Sequence, residues 1–371
     1  MNLLILDSID TKTFGGYQNW ICLIAPELVK RGHKVTIVGR PQAEFYNRFE
    51  EQKAGFSIFE LPISGDFDPF TISKLAKLFK KENIGVVICD FNKDVRLGGL
   101  AARFSNRPKV VWHLGLNITK NNFVHRFLTP RLIDSAVVPS ADLKRQVVAS
   151  GYIDPKTVTV IPHGIPELDI AFNHTEAGRD LRIKYEIPTD NKIAVTSGRF
   201  VSQKGHKYLV DAAKEIIAEF PSVTFLLLGD GPLENELKAK IREYDIEKHF
   251  VFAGMLSDFD LELAGSDLMI HPSVEEPFGF SVLEGMRAGL PVVASKIGGI
   301  PEFAINNKTA LLIEPNDSKK ISSAVLEFLQ SEEKMKSFGQ AGKQRWANDF
   351  KLDVMVKNWE KYLDNLIGAE K

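Results

Sequence analysis

EEPFGFSVLEGMRAGLP, residues Glu275 to Pro291, opens as a loop marked by Pro277 and Gly279 and then turns helical. Val282, Leu283 and Met286 recur at helical spacing, and Gly289-Leu290-Pro291 closes the helix. A helix that starts beside glycine leaves backbone N–H groups unpaired, and its dipole adds partial positive charge at the same end. That combination suits a phosphate. Glu276 stands in the loop and Glu284 about one turn inside the helix, with seven residues between them. At that spacing they flank the anion position instead of pairing, so each can address a different part of a phosphate-bearing ligand. Two glutamates that only favour the helix dipole are the other reading of the same residues.

Outward from this stretch, short apolar runs alternate with helical ones. Strands are expected near Leu3 to Leu6, Val35 to Val38, Phe56 to Leu61, Val86 to Asp90, Val110 to His113, Ala136 to Pro139 and Val158 to Ile161. A polar stretch from His163 to Pro188 breaks the pattern and reads as a linker with a short helix. Alternation restarts with strands near Ile193 to Ser197, Val223 to Leu228, Phe250 to Phe252, Leu268 to His271, Val292 to Ala294 and Ala310 to Ile313. This is the α/β pattern of parallel sheets with helices on both faces, which bind ligands at the carboxyl ends of their strands. A helix from Gly15-Gly16 to about Arg31 contains Pro26, which should kink or interrupt it. Leu352, Met355, Val356, Trp359, Leu363 and Leu366 form a closing helical stripe that packing alone explains.

The loop after the first strand of the second half reads Gly198-Arg199-Phe200-Val201-Ser202-Gln203-Lys204-Gly205. It sets two cations between glycines. A departing pyrophosphate gathers negative charge on its oxygens, and a fixed guanidinium and ammonium stabilise that charge best where water is excluded. By itself the loop reads better as a solvated turn with two ordinary surface cations.

With 371 residues, two or three domains are expected, and 44% hydrophobic and 26% charged residues are ordinary for a globular protein. The net charge of −1 gives no reason to expect nucleic acid. Cys22 and Cys89 sit in apolar runs and read as buried thiols. The start, MNLLILDSID, lacks the basic head of a signal peptide, and no apolar run approaches a membrane span, so a cytoplasmic place is expected.

EPFGFSVLE, with Glu–seven residues–Glu, and the Gly-Arg…Lys-Gly element about eighty residues before it resemble the signature of the retaining glycosyltransferases of family 4, also called glycosyl transferases group 1. The resemblance implies the GT-B fold: two Rossmann-like, doubly wound domains facing a cleft, with a C-terminal helix crossing back. The expected boundaries are 1–165 for the acceptor-side domain, 166–349 for the nucleotide-sugar domain and 350–371 for the helix packing back on the first. By resemblance, Arg199 and Lys204 hold the donor diphosphate, with amides around Phe278, Gly279, Phe280 and Ser281. Glu276 binds sugar hydroxyls and Glu284 the ribose.

The same likeness places the Gly229-Asp230-Gly231-Pro232 loop near the nucleoside, with Gly231 close to it, and the segment holding Met255 at the base. Gly15 and Gly16 would cover the phosphates from the first domain. His113, in VVWHLGLN, would touch the transferred sugar, with Asn117 and Lys120 nearby. Tight turns, helix entries and a histidine satisfied by backbone groups are the competing readings. Gly15-Gly16 is not a Gly-x-Gly-x-x-Gly motif, which argues against hydride transfer. His163-Gly164 and Gly298-Gly299-Ile300-Pro301-Glu302 are family-like but read as structural. Asp258-Phe259-Asp260 offers a superficial metal pair, better explained as a helix start. No cofactor and no essential metal are expected.

The expected activity is a metal-independent, retaining, hexosyltransferase-type reaction from a nucleotide-sugar donor to a saccharide or lipid-linked acceptor, in bacterial cell-envelope polysaccharide or lipopolysaccharide synthesis. Another GT-B enzyme (a sugar-nucleotide epimerase or phosphorylase) and a non-catalytic nucleotide-sugar-binding module are the alternatives. Thr71 to Lys81 and Phe123 to Leu132 mix basic and apolar residues. They raise an anionic membrane surface as a partner, with the protein peripheral on the inner face of the plasma membrane. A solvated surface helix is the other reading. Lys93 and Arg96 could face an anionic acceptor or cap a helix start.

Overall fold

The computed structural model describes residues 1–9, 15–43, 46, 55–116, 123–151, 153–168, 174–256 and 258–368, with the backbone alone for Val124. The chain divides into two units, one of Met1–Gly164 with the chain from Leu352 on, the other of Ile165–Lys351.

In the first unit seven parallel strands lie in the order β3-β2-β1-β4-β5-β6-β7. They are β1 (Asn2–Asp7), β2 (Lys34–Gly39), β3 (Ser57–Glu60), β4 (Val86–Cys89), β5 (Lys109–His113), β6 (Ser135–Val138) and β7 (Val158–Val160). A parallel sheet covered on both faces makes its central strands apolar throughout, which is why Leu3 to Leu6 and Val86 to Cys89 are buried without alternation. One face packs against Leu75, Phe79 and Trp112, the other against Trp20, Ile24 and Trp359. The strand order reverses between β1 and β4, so Asp7 and Asp90 mark the switch point where such sheets open for ligands.

The helix Gly16–Lys30 runs through Pro26 without interruption. Proline removes one N–H from the helix ladder, but Trp20, Ile21, Ile24 and Leu28 are fully buried around it and hold the helix together. The closing helix Leu352–Gly368 belongs to this unit. It buries Met355, Val356, Trp359 and Leu363, each worth roughly 1.5–3 kcal/mol. Trp359 meets Trp20 at 5.0 Å, and Arg31 binds both Asp353 and Glu360.

The second unit has six parallel strands in the order β10-β9-β8-β11-β12-β13. These are β8 (Lys192–Ser197), β9 (Val223–Leu228), β10 (Phe250–Gly254), β11 (Leu268–His271), β12 (Val292–Ser295) and β13 (Leu311–Ile313). Its switch point lies between β8 and β11, at Ser197 and His271. The helix His174–Lys184 lies within the polar stretch that precedes β8. Both units are therefore doubly wound.

Candidate active site

The functional side chains of the second unit sit on the loops, strand ends and helix starts at the carboxyl edge of its sheet. After β8 the chain passes Arg199, makes one 3-10 turn at Ser202–Lys204 and enters the helix His206–Glu219. Phe200 is fully buried and anchors this loop. Its N–H donates to the Asp230 carbonyl (2.6 Å), and its own carbonyl accepts from the Leu233 N–H (3.0 Å). Gly231 has φ +153°, and a Cβ there would lie 2.7 Å from the Phe200 backbone, so glycine is what lets the two loops meet. The N–H groups of Val274 and Glu275 donate to the Gln203 carbonyl at 2.7 and 3.2 Å, tying the Lys204 loop to the Glu276 loop. On the far side, Gly298 (φ +54°) lies so close that a Cβ would stand 1.6 Å from the Glu276 carbonyl oxygen.

The charges on these loops meet. Lys204 Nζ lies 2.6 Å from Glu276 Oε2, and His271 Nε2 lies 3.1 Å from the same oxygen. Ser273 Oγ is 2.9 Å from His271 Nε2. Burial pushes the Glu276 carboxyl up, but the His271 hydrogen bond and the Lys204 charge outweigh it and hold the group down at about 2. Burial holds His271 below the ordinary histidine range against the pull of Glu276. Arg199 is exposed; its carbonyl accepts from the Val201 N–H (2.8 Å), and its guanidinium has no hydrogen-bond or ion-pair partner among the described residues.

The helix Phe280–Ala288 starts at Gly279, whose φ of +108° ends the loop, and no side chain caps it. The Ser281 hydroxyl donates to the Ser197 carbonyl (3.2 Å), which fixes the helix start beside the end of β8. Glu284, half-buried in this helix, is pushed up to about 7: burial raises it, Arg287 opposes, Asp260 adds to the rise and Lys204 opposes. Phe278 is buried between Phe280 (5.7 Å) and Phe303 (5.0 Å), so its side chain belongs to the core and only its backbone faces a ligand role. Met255 is well exposed beside Gly254, whose carbonyl accepts from the Gly229 N–H (2.8 Å). Asp258 accepts from the Asp260 N–H (3.0 Å), and Asp260 pairs with Arg287 (2.5 Å), so both are engaged at the helix start. Among the described residues no group of three His, Cys, Asp or Glu is placed to hold a metal.

In the first unit Gly15 and Gly16 open the first helix, and the Gly15 N–H donates to Gln18 Oε1 (3.0 Å). Gln18 Nε2 in turn donates to Asp7 Oδ2 (2.7 Å). His113 ends β5 and is 2% exposed, stacked on Trp20 at 4.3 Å, with Tyr17 at 5.2 Å and His163 at 5.7 Å. Its Nδ1 lies 3.4 Å from Asp90 Oδ1. Burial lowers His113 to about 3 and raises Asp90 to about 8, so both are neutral near pH 7. Asn117 and Lys120 lie outside the described residues.

Sequence reasoning singled out neither His271 nor Ser273. The available signal was a histidine ending an otherwise apolar buried strand, Leu268-Met269-Ile270, at the edge where ligands bind.

Two Rossmann-like sheets in one chain, the second carrying a Gly-Arg…Lys-Gly loop beside a glutamate-led helix start, define a glycosyltransferase of the GT-B class. The family described as "Glycosyl transferases group 1" matches residues 179–345, and "Glycosyltransferase Family 4" matches residues 14–167. Together they span most of the chain, which belongs to the family 4, group 1 glycosyltransferases. The N-acetyl-alpha-D-glucosaminyl L-malate synthase of Bacillus anthracis is 24% identical over 94% of this chain and 93% of that protein. The UDP-Gal:alpha-D-GlcNAc-diphosphoundecaprenol alpha-1,3-galactosyltransferase of Escherichia coli is 29% identical over 80% of this chain and 75% of its own length. In fold, the chain is similar to Anabaena HepE, solved in complex with UDP-glucose, with a TM-score of 0.85 at 21% identity over 98% of this chain and 100% of that one.

Proposed function

We propose that this glycosyltransferase is retaining and metal-independent, and moves a hexosyl unit from a sugar nucleotide to a hydroxyl of a saccharide or lipid-linked acceptor. Its pathway would be bacterial cell-envelope polysaccharide or lipopolysaccharide synthesis. The observation that carries the reading is the convergence of Arg199, Lys204, Glu276 and the uncapped Phe280–Ala288 helix start at the carboxyl edge of one sheet. Arg199, Lys204 and the amides of Gly279, Phe280 and Ser281 would take the diphosphate, meeting its charge in place of a divalent cation. Glu276 would bind sugar hydroxyls, and Glu284 the ribose diol. Gly231 and Met255 would line the donor through their backbones.

The bond from the anomeric carbon to the diphosphate breaks as the acceptor oxygen bonds to the same face. The acceptor's proton passes to the departing phosphate oxygen, so the step requires no separate protein base. The Escherichia coli relative's UDP-Gal donor and alpha-D-GlcNAc-diphosphoundecaprenol acceptor, and the UDP-glucose bound to HepE, support UDP-sugars and lipid-linked saccharides as first candidates.

A peripheral place on an anionic membrane is part of the proposal. Phe123 and Phe127 are 78% and 51% exposed and stack on each other at 5.4 Å, with Arg131 over the Phe127 ring. Lys74, Lys77, Lys80 and Lys81 line the exposed face of the helix Pro69–Lys81. No helix among the described residues is long and apolar enough to cross a membrane. Co-sedimentation with vesicles should rise with the anionic lipid fraction and fall when these lysines become glutamate.

The test of the activity is product analysis by NMR after incubation with sugar nucleotides and an acceptor panel, with and without EDTA. An α-linked product from an α-linked donor, formed equally in EDTA, is expected. An inverted anomer or a strict metal requirement contradicts the proposal. Donor binding without turnover on any acceptor favours the binding module.

A further inference from the structure

Four side chains of the second unit form a run of contacts of which the proposed reaction uses only two members. Ser273 Oγ lies 2.9 Å from His271 Nε2, His271 Nε2 lies 3.1 Å from Glu276 Oε2, and Glu276 Oε2 lies 2.6 Å from Lys204 Nζ. Ser273 and His271 are buried, and the Glu276 side chain is 9% exposed. An ionised carboxylate only accepts, so the His271 nitrogen facing it carries the hydrogen. The contacts thus assign His271 the Nε2–H tautomer, with Ser273 Oγ as a second acceptor beside the same hydrogen.

We propose that His271, held by Ser273, is a positioning residue that keeps Glu276 ionised and aimed at the sugar when Lys204 turns from Glu276 to the donor's diphosphate. This rests on the reading of Lys204 as a diphosphate ligand and Glu276 as a sugar ligand. The diphosphate and Glu276 compete for one ammonium. A buried carboxylate stripped of its cation takes up a proton unless another donor replaces it. His271 supplies that donor to the same oxygen. Glu276 then remains an acceptor for sugar hydroxyls instead of becoming a donor itself. The pair therefore favours the intact sugar nucleotide over the bare diphosphate, because only the former returns hydroxyl protons to the carboxylate that Lys204 leaves.

The charged and titratable groups around Glu276 are Lys204 and His206 on the β8 side, His271 on β11, and Glu284, which feels the Lys204 charge. His206 is buried, has no hydrogen-bond partner at either ring nitrogen among the described residues, and is held neutral by burial down to about 3, so it brings no competing charge.

Calorimetric titration of the full chain with UDP-glucose and with UDP tests this, or with the matching pair if the nucleotide screen selects another base. Wild type, His271→Ala, His271→Asn and Glu276→Gln are compared at about pH 5.5 and about pH 8, a range chosen to lie above the ordinary carboxylate pKa. Wild type should prefer the sugar nucleotide by the same ratio at both values. His271→Ala should lose that preference about tenfold at the lower pH and regain it at the higher. His271→Asn, whose amide can donate to Glu276, should restore the ratio. A role in folding alone predicts equal, pH-independent losses for both ligands in His271→Ala, and that result overturns the proposal. If Glu276→Gln keeps the full preference, the sugar-site reading itself fails. If Glu276→Gln loses it while His271→Ala matches wild type at both pH values, this inference alone is wrong.

Discussion

Lys204 Nζ and Glu276 Oε2 stand 2.6 Å apart, so two charges proposed to hold different parts of the donor neutralise each other in the donor-free protein. If Lys204 takes the diphosphate as proposed, donor binding is an exchange of partners. Lys204→Ala and Glu276→Gln should each lower turnover by roughly 10²–10³-fold. Their effects on nucleoside diphosphate affinity should have opposite signs. Lys204→Ala weakens binding, and Glu276→Gln tightens it by releasing the ammonium. Calorimetry with the diphosphate alone reads the sign, and a parallel loss in both variants would contradict the exchange.

Glu284 is held up to about 7 by burial, so it ionises within the working range. A carboxylate accepts from both ribose hydroxyls better than a protonated carboxyl does. Nucleotide affinity of the wild type should rise several-fold between about pH 6 and about pH 8 as this group loses its proton. Glu284→Gln should bind more weakly at the higher pH and show a flat profile. A variant profile that still climbs through pH 7 would place the titrating group elsewhere.

Stability should respond to pH with opposing signs in the first unit. Asp90 rises to about 8 in the folded protein, above its ordinary 3.8, so the fold loses stability as pH climbs from about 4 to 8. His113 falls to about 3 from its ordinary 6.5, so its contribution is whole above 6.5 and is lost as pH drops towards 3. Asp90→Asn should therefore raise the melting temperature more at pH 8 than at pH 5. Equal shifts at both pH values would show that burial does not hold the Asp90 proton.

Gly298 has φ +54°, and a Cβ there would overlap the Glu276 carbonyl oxygen at 1.6 Å. Gly298→Ala should cost roughly 2–4 kcal/mol in chemical denaturation, because the Glu276 loop must shift. It should also weaken sugar-nucleotide binding more than diphosphate binding, since Lys204 and Arg199 stand on other residues. An alanine variant with wild-type stability would remove the proposed packing constraint.

The strands were legible because fully buried parallel strands write themselves as unbroken apolar runs, as in Val223 to Leu228 and Val292 to Ser295. Pro26 predicts a kink or an interruption, and the helix is not interrupted. Its local preference to break a helix yields to Trp20, Ile24 and Leu28, which are buried around it. Arg199, Lys204, Glu276 and Glu284 were legible as a pattern of charge and glycine on loops after strands. What sequence could not supply was partnership. Nothing in the order of residues says that Glu276 faces Lys204 from seventy-two positions away, or that His271 shares its oxygen. Phe278 reads as part of the ligand loop because it sits between Pro277 and Gly279, yet its ring packs on Phe303.

The most direct test of the central claim is calorimetry of the wild type, Arg199→Ala and Glu284→Ala against UDP, GDP, ADP and their common sugar conjugates, with and without magnesium. The account predicts binding of one nucleotide class without a need for magnesium, weakened in both variants while their melting temperatures stay near wild type. A folded wild type that binds none of these nucleotides, or variants that bind as tightly as wild type, would contradict the donor site at the carboxyl edge of the second sheet.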